Sequence, residues 1–298
     1  MLAQTVQHEI DFTSNELIPI TYNRDFERLY QPLLPVYIFG TGSEGNSVLL
    51  KPYRLLVDLG LPFKRYKEAD GNLFNKIDAI ILTHIHGDHL NPATLASVLS
   101  QYPHIQCYMH PFMWKCIMER YPEKLQKFKH RIFEFNTEPI KIRNRDNVDI
   151  QCFPLTTKHG NILNVALRFY DYANQKSWFY ASDLDNLSTS PLAFVDCFGQ
   201  KQVTTGLAEN DTYDVMLLEA NYDEEIIKKF LHSLDEKYID LYGNVVDKTY
   251  YQQQYRAKTN MRHISEQEAF PFVQKHLKAN GVFIPLHASK TFGTLWQE

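Results

Sequence analysis

Cysteine is scarce in this chain of 298 residues, which contains only Cys107, Cys116, Cys152 and Cys197. The four lie far apart, and no two of them form a Cys-x-x-Cys pair. Such spacing indicates neither a disulfide framework nor a thiolate zinc knuckle. We therefore expect reduced and mostly buried thiols.

Long apolar segments are also missing. Runs such as 79–82 and 215–218 are far shorter than the roughly 20 residues needed to span a bilayer. Residues 1–12 contain no basic stretch followed by an apolar one, the pattern of a secretory signal. These features predict a cytoplasmic protein without a membrane partner.

No charge of one sign dominates, since 31 Lys and Arg stand against 35 Asp and Glu, a formal net charge of −4. The whole chain therefore lacks the basic field typical of nucleic-acid-binding proteins, and any such binding must be local. Hydrophobic residues make up 44% of the chain. This composition is that of a folded globular protein.

Short apolar runs of strand length, closed by Gly, Pro, Asp or Thr-His, alternate with helical segments along the chain. With no internal repeat, this order predicts an α+β fold whose two-sheet core is covered by helices. We place an N-terminal extension at 1–34 and one domain at 35–298. Expected helix starts are Asn91 with Pro92, Asn221 with Glu224 three residues on, and the Ser265–Glu268 capping box; a break is expected at Pro122.

The segment after the apolar run at 79–82 carries the strongest functional signal. His84, His86, Asp88 and His89 form a His-x-His-x-Asp-His pattern within six positions. On a loop leaving a strand, the first two imidazoles can converge on one ion while Asp88 and His89 face a second. The alternative is a set of satisfied polar residues at a strand end. A His and carboxylate set without Cys suits Zn²⁺, and Mn²⁺ or Fe²⁺ also fit.

Further ligands would have to come from other strand ends. His159, His263 and His287 each lie at or near the end of a segment with strand or helix-start character, and Asp183 ends an apolar strand. Each residue alone is more often a surface or capping residue than a ligand. In the presence of the first motif, they become candidate ligands.

With these motifs in place, the sequence resembles the metallo-β-lactamase-fold hydrolases over most of residues 36–293, and within them the bacterial YycJ/WalJ-type DNA exonucleases. The resemblance implies a four-layer α/β/β/α sandwich. The matching segments follow the family's order and are 40–47, 56–60, 84–89, 158–160, 182–183, 217–223, 262–265 and 286–289.

The resemblance also implies a dinuclear metal site. The first ion would bind His84, His86 and His159, the second Asp88, His89 and His287, and Asp183 would bridge them. Asp58 would orient the motif loop through hydrogen bonds, or would simply cap a strand end. The turn at 42–46 would supply backbone N–H groups near the site or, in the simpler interpretation that we prefer, form a tight hairpin turn.

Two cations about 4 Å apart would share a hydroxide that attacks a phosphoryl group in line. Asp88 would orient this nucleophile and accept its proton. His263 would protonate the leaving oxygen or neutralise phosphate charge, unless it is a structural histidine. Asp88 and His263 are therefore the candidate catalytic residues.

A basic and aromatic segment at 237–263, just before His263, is predicted to be a lid. Its interleaved Tyr, Lys and Arg residues suit the backbone and bases of a single-stranded end, although a solvated lid or a dimer contact has the same composition. Candidate substrate contacts are Tyr255, Arg256 and Arg262.

The function predicted from these features is that of a dinuclear metal-dependent phosphodiesterase or nuclease, with DNA favoured over RNA. The alternative is a small-molecule hydrolase of the same fold, acting on a lactone, thioester or cyclic phosphodiester. A non-catalytic binding protein is a third class, against which a complete ligand set argues. The sequence leaves the oligomeric state open.

Overall fold

The computed structural model describes residues 34–240, 242–289 and 291–295. Two six-stranded sheets, one two-stranded sheet and eight α-helices make up this part of the chain. The N-terminal extension predicted at 1–34 lies, up to residue 33, outside the described residues.

The first sheet comes from the N-terminal half and keeps the order of the chain. Its strands are β1 (Val36–Gly40), β2 (Ser47–Leu50), β3 (Leu55–Val57), β4 (Ala79–Ile81), β5 (Gln106–Met109) and β6 (Ile132–Glu134). Strands β1 to β3 pair antiparallel, and β3 to β6 pair parallel. Every residue of β3 and β4 is buried, as expected of parallel strands covered on both faces.

The second sheet has the order β14-β13-β10-β9-β8-β7. Its strands are β7 (Ile140–Arg143), β8 (Asp149–His159), β9 (Ile162–Asp171), β10 (Lys176–Ala181), β13 (Tyr213–Glu219) and β14 (Leu277–Leu286); β11 (Ala193–Val195) and β12 (Lys201–Val203) form the small sheet. Strands β10, β13 and β14 run parallel. Strand β8 runs the same way, because β8, β9 and β10 are successively antiparallel.

Helices follow the strands of both sheets. They are α1 (Phe63–Ala69), α2 (Leu73–Lys76), α3 (Pro92–Gln101), α4 (Pro111–Arg120), α5 (Pro122–Leu125), α6 (Glu224–Tyr238), α7 (Thr249–Asn260) and α8 (Glu266–His276). Helix α8 packs against β13 and β14, and α6 packs against α7. Among the described residues, no helix is both long and apolar enough to cross a membrane.

The two large sheets share one continuous hydrophobic core. The rings of Tyr53, after β2, and Trp178, on β10, lie 5.3 Å apart, and the Tyr180 hydroxyl of the second sheet donates to Asp58 beside the first at 3.3 Å. This packing confirms the predicted α/β/β/α sandwich.

Several predicted helix boundaries are confirmed. Asn91 Oδ1 accepts from the Thr94 N–H at 3.0 Å. Ser265 and Glu268 form the reciprocal capping box at the start of α8. The helical segment after Pro111 breaks at Pro122, where α4 gives way to α5. The four cysteines are free, and three of them are buried.

The predicted cap of α6 is wrong. Asp223, not Asn221, accepts from the Ile226 N–H at 2.8 Å and begins the helix. The Asn221 side chain instead donates to the backbone oxygen of His287 at 2.7 Å. The Asn221 side chain therefore contacts the residue after β14 instead of capping α6.

Candidate metal centre

The strand ends bring the candidate ligands together. Strands β4, β8, β10 and β14 end at the same side of the two packed sheets, and His84, His159, Asp183 and His287 lie at or just beyond their last residues. Asp183 and His287 have positive backbone φ angles, 55° and 54°. These left-handed residues turn the chain sharply where each strand ends.

One cluster contains His84, His86 and Asp183, whose ligand atoms lie within 4.8 Å of one another. His84 Nε2 is 3.1 Å from His86 Nδ1 and 3.4 Å from Asp183 Oδ2. His159 lies beside this cluster, with its Nε2 3.8 Å from the same Asp183 oxygen. Two imidazoles thus face the same Asp183 oxygen, and His86 lies beside them.

A second cluster contains Asp88, His89, Asp183 and His287. Here the nearest Asp183 oxygen is Oδ1, which lies 3.3 Å from His89 Nε2 and 3.4 Å from His287 Nε2. Asp88 Oδ2 lies 3.7 Å from His287 Nε2. Asp183 therefore presents one oxygen to each cluster, which is the arrangement of a bridging carboxylate.

Asp58, directly after β3, holds the loop that carries the His-x-His-x-Asp-His motif. This fully buried carboxylate lies 2.7 Å from His89 Nδ1 and accepts from the Thr83 N–H at 2.8 Å. These contacts fix the plane of the His89 ring and leave Nε2 directed at the cluster. They are the hydrogen bonds expected of a residue that orients the loop.

Asn46, which the sequence analysis placed only in a turn, contacts two candidate ligands. The buried Nδ2 of Asn46 lies 3.2 Å from Asp88 Oδ2 and 2.8 Å from His89 Nε2. Its Oδ1 accepts from the Gly42 N–H at 2.7 Å. The turn is thus a tight hairpin between β1 and β2, as preferred above, and it also supports the site.

Glu219 is a second site residue that the sequence analysis missed. It is fully buried at the end of β13, and its Oε1 lies 2.6 Å from His263 Nδ1. Its other oxygen accepts from the Leu184 N–H at 2.8 Å. The signal was an acidic residue directly after an apolar strand, as at Asp183.

His263 lies against His287, their ring centroids 4.7 Å apart in a stacked arrangement. Burial lowers the pKa of His263, but the Glu219 carboxylate outweighs burial and raises that pKa to about 9. A group with this pKa is protonated at neutral pH. It can therefore donate a proton or neutralise negative charge beside the clusters.

The donor chemistry of the clusters fits divalent cations. His287 Nε2 is buried without a hydrogen-bond partner, although it faces two carboxylates. Burial lowers the pKa of His86 to about 4, with help from the neighbouring His84 and His159. Burial raises the pKa of Asp88, but His287 and the charge of His89 lower it more, to about 2. Burial lowers the pKa of His89, but the Asp183 and Asp58 carboxylates outweigh burial and raise that pKa well above its usual value. Neutral imidazoles and ionised carboxylates are the forms that bind metal, so His89 would release a proton on binding.

Of the three candidate substrate contacts, two border the site. Tyr255 and Arg256 line a cavity that also reaches His263 and His287. Arg262 is exposed and lies outside the lining of that cavity. Helix α7, which carries the first two residues, has only Tyr250 and Ala257 buried.

Comparison with known proteins agrees with this architecture. Residues 53–225, more than half of the chain, match the family model of the Beta-lactamase superfamily domain, and the chain belongs to this superfamily. Its members are hydrolytic metalloenzymes, and the fold implies bound divalent metal ions. A comparison with curated protein sequences finds no significant match.

Solved structures with the same fold share little sequence with the chain. The metallo-β-lactamase fold protein YhfI from Bacillus subtilis is 18% identical, with a TM-score of 0.48 and coverage of 85% of both chains. The short form of human tRNase Z is 14% identical, with a TM-score of 0.50 and coverage of 86% of this chain and 92% of that one. The likeness to tRNase Z concerns the fold alone.

Proposed function

We propose that this chain is a dinuclear metal-dependent phosphodiesterase that cleaves nucleic acid, with DNA favoured over RNA. The observation that carries the proposal is the position of Asp183 between two ligand clusters, next to the His263–Glu219 pair. Two adjacent cation sites and a nearby proton donor are the parts that phosphodiester hydrolysis requires.

The two clusters assign the ligands. We propose that His84, His86 and His159 hold one ion, that Asp88, His89 and His287 hold the other, and that Asp183 contacts both. Zn²⁺ suits these imidazole and carboxylate donors best, and Mn²⁺ or Fe²⁺ also fit. Asp58 and Asn46 would keep His89 and Asp88 in place through their hydrogen bonds.

Two bound cations would lower the pKa of a shared water and polarise the phosphoryl oxygens. Asp88, ionised and only partly buried, would orient the attacking water and accept its proton. His263 would donate a proton to the leaving oxygen. Its Nδ1 lies 2.6 Å from Glu219 Oε1, so Nε2 would carry this transfer.

We further propose that residues 35–298 form one catalytic domain in which 237–263 acts as the substrate-facing lid. The order of motifs, which resembles that of the YycJ/WalJ-type exonucleases, supports DNA as the substrate. The tRNase Z among the structures of like fold makes RNA the polynucleotide to test beside it.

A small-molecule hydrolase is the second candidate. The cavity next to His263 and His287 has a volume of about 670 Å³, which lies in the roughly 300–1,000 Å³ range of small-ligand pockets. A lactone, thioester or cyclic phosphodiester would fit this space. Its cationic lining favours a phosphate over the uncharged esters.

The test uses protein reloaded with Zn²⁺ or Mn²⁺ and end-labelled single-stranded DNA, duplex DNA and RNA. Metal-dependent loss of label should occur in the wild type and fall at least about 100-fold in Asp88→Ala. Lys64→Ala, an exposed change on α1, is the matched control. Metal content is measured for each variant. About two metals per chain with no cleavage of any polynucleotide would contradict the proposal and favour the small-molecule hydrolase.

A further inference from the structure

The cavity beside the candidate metal centre has walls from four parts of the fold. They are the end of β1 with the turn at 41–45, helices α1 and α7, and residues 287–289 and 291, while His263 and His287 lie at the end next to the clusters. Its volume of about 670 Å³ accommodates a group about the size of one nucleotide. Such a group would lie directly beside the residues that would do the chemistry.

Two arginines on different helices line this cavity, Arg65 on α1 and Arg256 on α7. The Arg256 guanidinium donates to Thr291 Oγ1, another lining residue, at 2.7 Å. Glu44 is the one acidic side chain among the described lining residues, so positive charge prevails. Guanidinium groups bind phosphate through charge-assisted and often bidentate hydrogen bonds. The cavity is therefore suited to a phosphate.

Aromatic side chains also line the cavity. Phe39 lies near the end of β1 and is half-buried. Its ring packs against Tyr66, with the two ring centroids 5.3 Å apart. Tyr255 on α7 is 67% exposed, so most of its ring is free to contact a ligand. Aromatic faces stack on bases of any sequence. Together with the arginines, they match a ligand that has both a base and a phosphate.

We propose that this cavity binds the nucleotide next to the scissile phosphate at the end of a single strand, with Arg65 and Arg256 holding the flanking phosphate. The inference rests on the proposed phosphodiesterase function and names its substrate class. A base-paired nucleotide would carry its partner strand into a space that holds about one nucleotide. A single strand therefore fits where a duplex does not.

The test compares two substrates of the metal-loaded protein. A single-stranded oligodeoxynucleotide contains a flanking phosphate, whereas bis(p-nitrophenyl) phosphate contains only the phosphate that is cleaved. Arg65→Ala and Arg256→Ala should each raise KM for the oligonucleotide about 10-fold, as expected for one lost charge-assisted contact, and should change hydrolysis of the small ester less than about 2-fold.

Matched controls exist on the same two helices. Lys64→Ala on α1 and Lys258→Ala on α7 each remove an exposed positive charge outside the cavity lining. Neither control should change KM for the oligonucleotide beyond about 2-fold. Because both arginines are exposed, all four variants should keep the wild-type melting temperature. Arg65→Gln and Arg256→Gln replace any alanine variant that does not.

Binding gives a readout independent of turnover. The probe is a hydrolysis-resistant phosphorothioate single strand, titrated at several salt concentrations. For single strands, log affinity falls linearly with log salt, and each lost phosphate contact makes this line shallower by about 0.7. Each arginine variant should show this reduction, and the lysine variants should keep the wild-type slope.

The outcomes separate the two proposals. Equal effects of the arginine and lysine variants would overturn the cavity assignment and leave the phosphodiesterase function intact. An equally large loss of small-ester hydrolysis would also overturn it, because the arginines would then contact the scissile phosphate itself. A wild type that binds the strand and hydrolyses neither substrate would overturn the proposed function, and the salt slopes would still decide the cavity.

Discussion

Glu219 shows how one buried side chain can set the state of another. Its carboxylate is fully enclosed and lies 2.6 Å from His263 Nδ1. Without that partner, burial alone would favour neutral His263. The protonated state of His263 therefore depends on Glu219, a residue expected to act through His263 without contacting substrate.

Glu219→Gln should lower kcat by about 100-fold or more, because it removes the charge that keeps His263 protonated. The pKa of His263, now about 9, should fall, so activity should decline with rising pH at a lower pH than in the wild type. The measurement is the pH profile of kcat at constant metal content. A uniform loss of activity with an unshifted profile would contradict this role.

Asp58→Asn tests the support of His89. The change keeps the size of the side chain and removes the charge that lies 2.7 Å from His89 Nδ1. We expect metal affinity to fall about 10–100-fold, as is typical for partners of metal ligands. Metal titration against a competing chelator measures the affinity. Asn75→Ala, an exposed change on α2, is the control, and equal affinities of the two variants would argue against the role.

Among the elements, α8 has the clearest start, and it begins two residues after the His263–Ile264 pair, in which Ile264 is fully buried. The reciprocal bonds between Ser265 and Glu268 satisfy two N–H groups that the helix itself leaves free. The cap therefore stabilises the helix that follows His263.

Ser265→Ala should lower the free energy of unfolding by about 1 kcal/mol, because it removes the side-chain acceptor of the Glu268 N–H. Ser233→Ala in α6 is the control, since that exposed hydroxyl bonds a carbonyl in the same helix. Urea denaturation measures both variants. If Ser265→Ala costs no more than Ser233→Ala, the cap contributes nothing.

Local sequence patterns predicted most elements, because buried strands and capped helices carry their signals within a few residues. The cap of α6 was predicted wrongly, since the competing partner of Asn221 is His287, 66 positions away. Helix α7 was not anticipated either, because only Tyr250 and Ala257 are buried along it and its sequence has little apolar periodicity.

The candidate site also combines residues that local patterns indicate with residues that depend on distant contacts. The His-x-His-x-Asp-His pattern is local and could be read directly; strand-end positions indicated the distant His159, Asp183 and His287, and the resemblance assigned them to the two ions. The supporting contacts of Asn46 and Glu219 join residues that are far apart in the sequence, Asn46 to Asp88 and Glu219 to His263. No short segment contains that information, so sequence alone did not reveal them.

At the scale of the whole molecule, acid should destabilise the second sheet. Burial raises the pKa of Asp214, but hydrogen bonds from Lys278, the Ser177 N–H and Lys176 outweigh burial and hold this pKa well below its usual range. A carboxyl with a depressed folded-state pKa contributes stability above its unfolded pKa, and that stability is lost as pH falls through the folded value.

Asp214→Asn should therefore cost about 1 kcal/mol of unfolding free energy at pH 7 and less at pH 3. Denaturation at both pH values measures the difference. Glu225→Gln, a change of an exposed carboxylate on α6, is the control. An effect of Asp214→Asn that is as large at pH 3 as at pH 7 would contradict the prediction.

Metal removal should also lower stability. A ligand that binds only the folded chain stabilises it by about 2.7 kcal/mol at 100 times its dissociation constant. The melting temperature should fall on chelation of the loaded wild type and fall by less in His84→Ala, in which one of the two clusters is incomplete and the other can still hold an ion. A chelator that lowers both melting temperatures equally would point to a metal bound elsewhere.

The position of Asp183 between the clusters has a mechanical consequence. His84, His86, Asp88 and His89 follow a strand of the first sheet, whereas His159, Asp183 and His287 belong to the second. Cations held between them would act as cross-links from one half of the sandwich to the other. Metal release would then require the halves to separate locally, and amide hydrogen exchange at this edge would slow whenever the ions are bound.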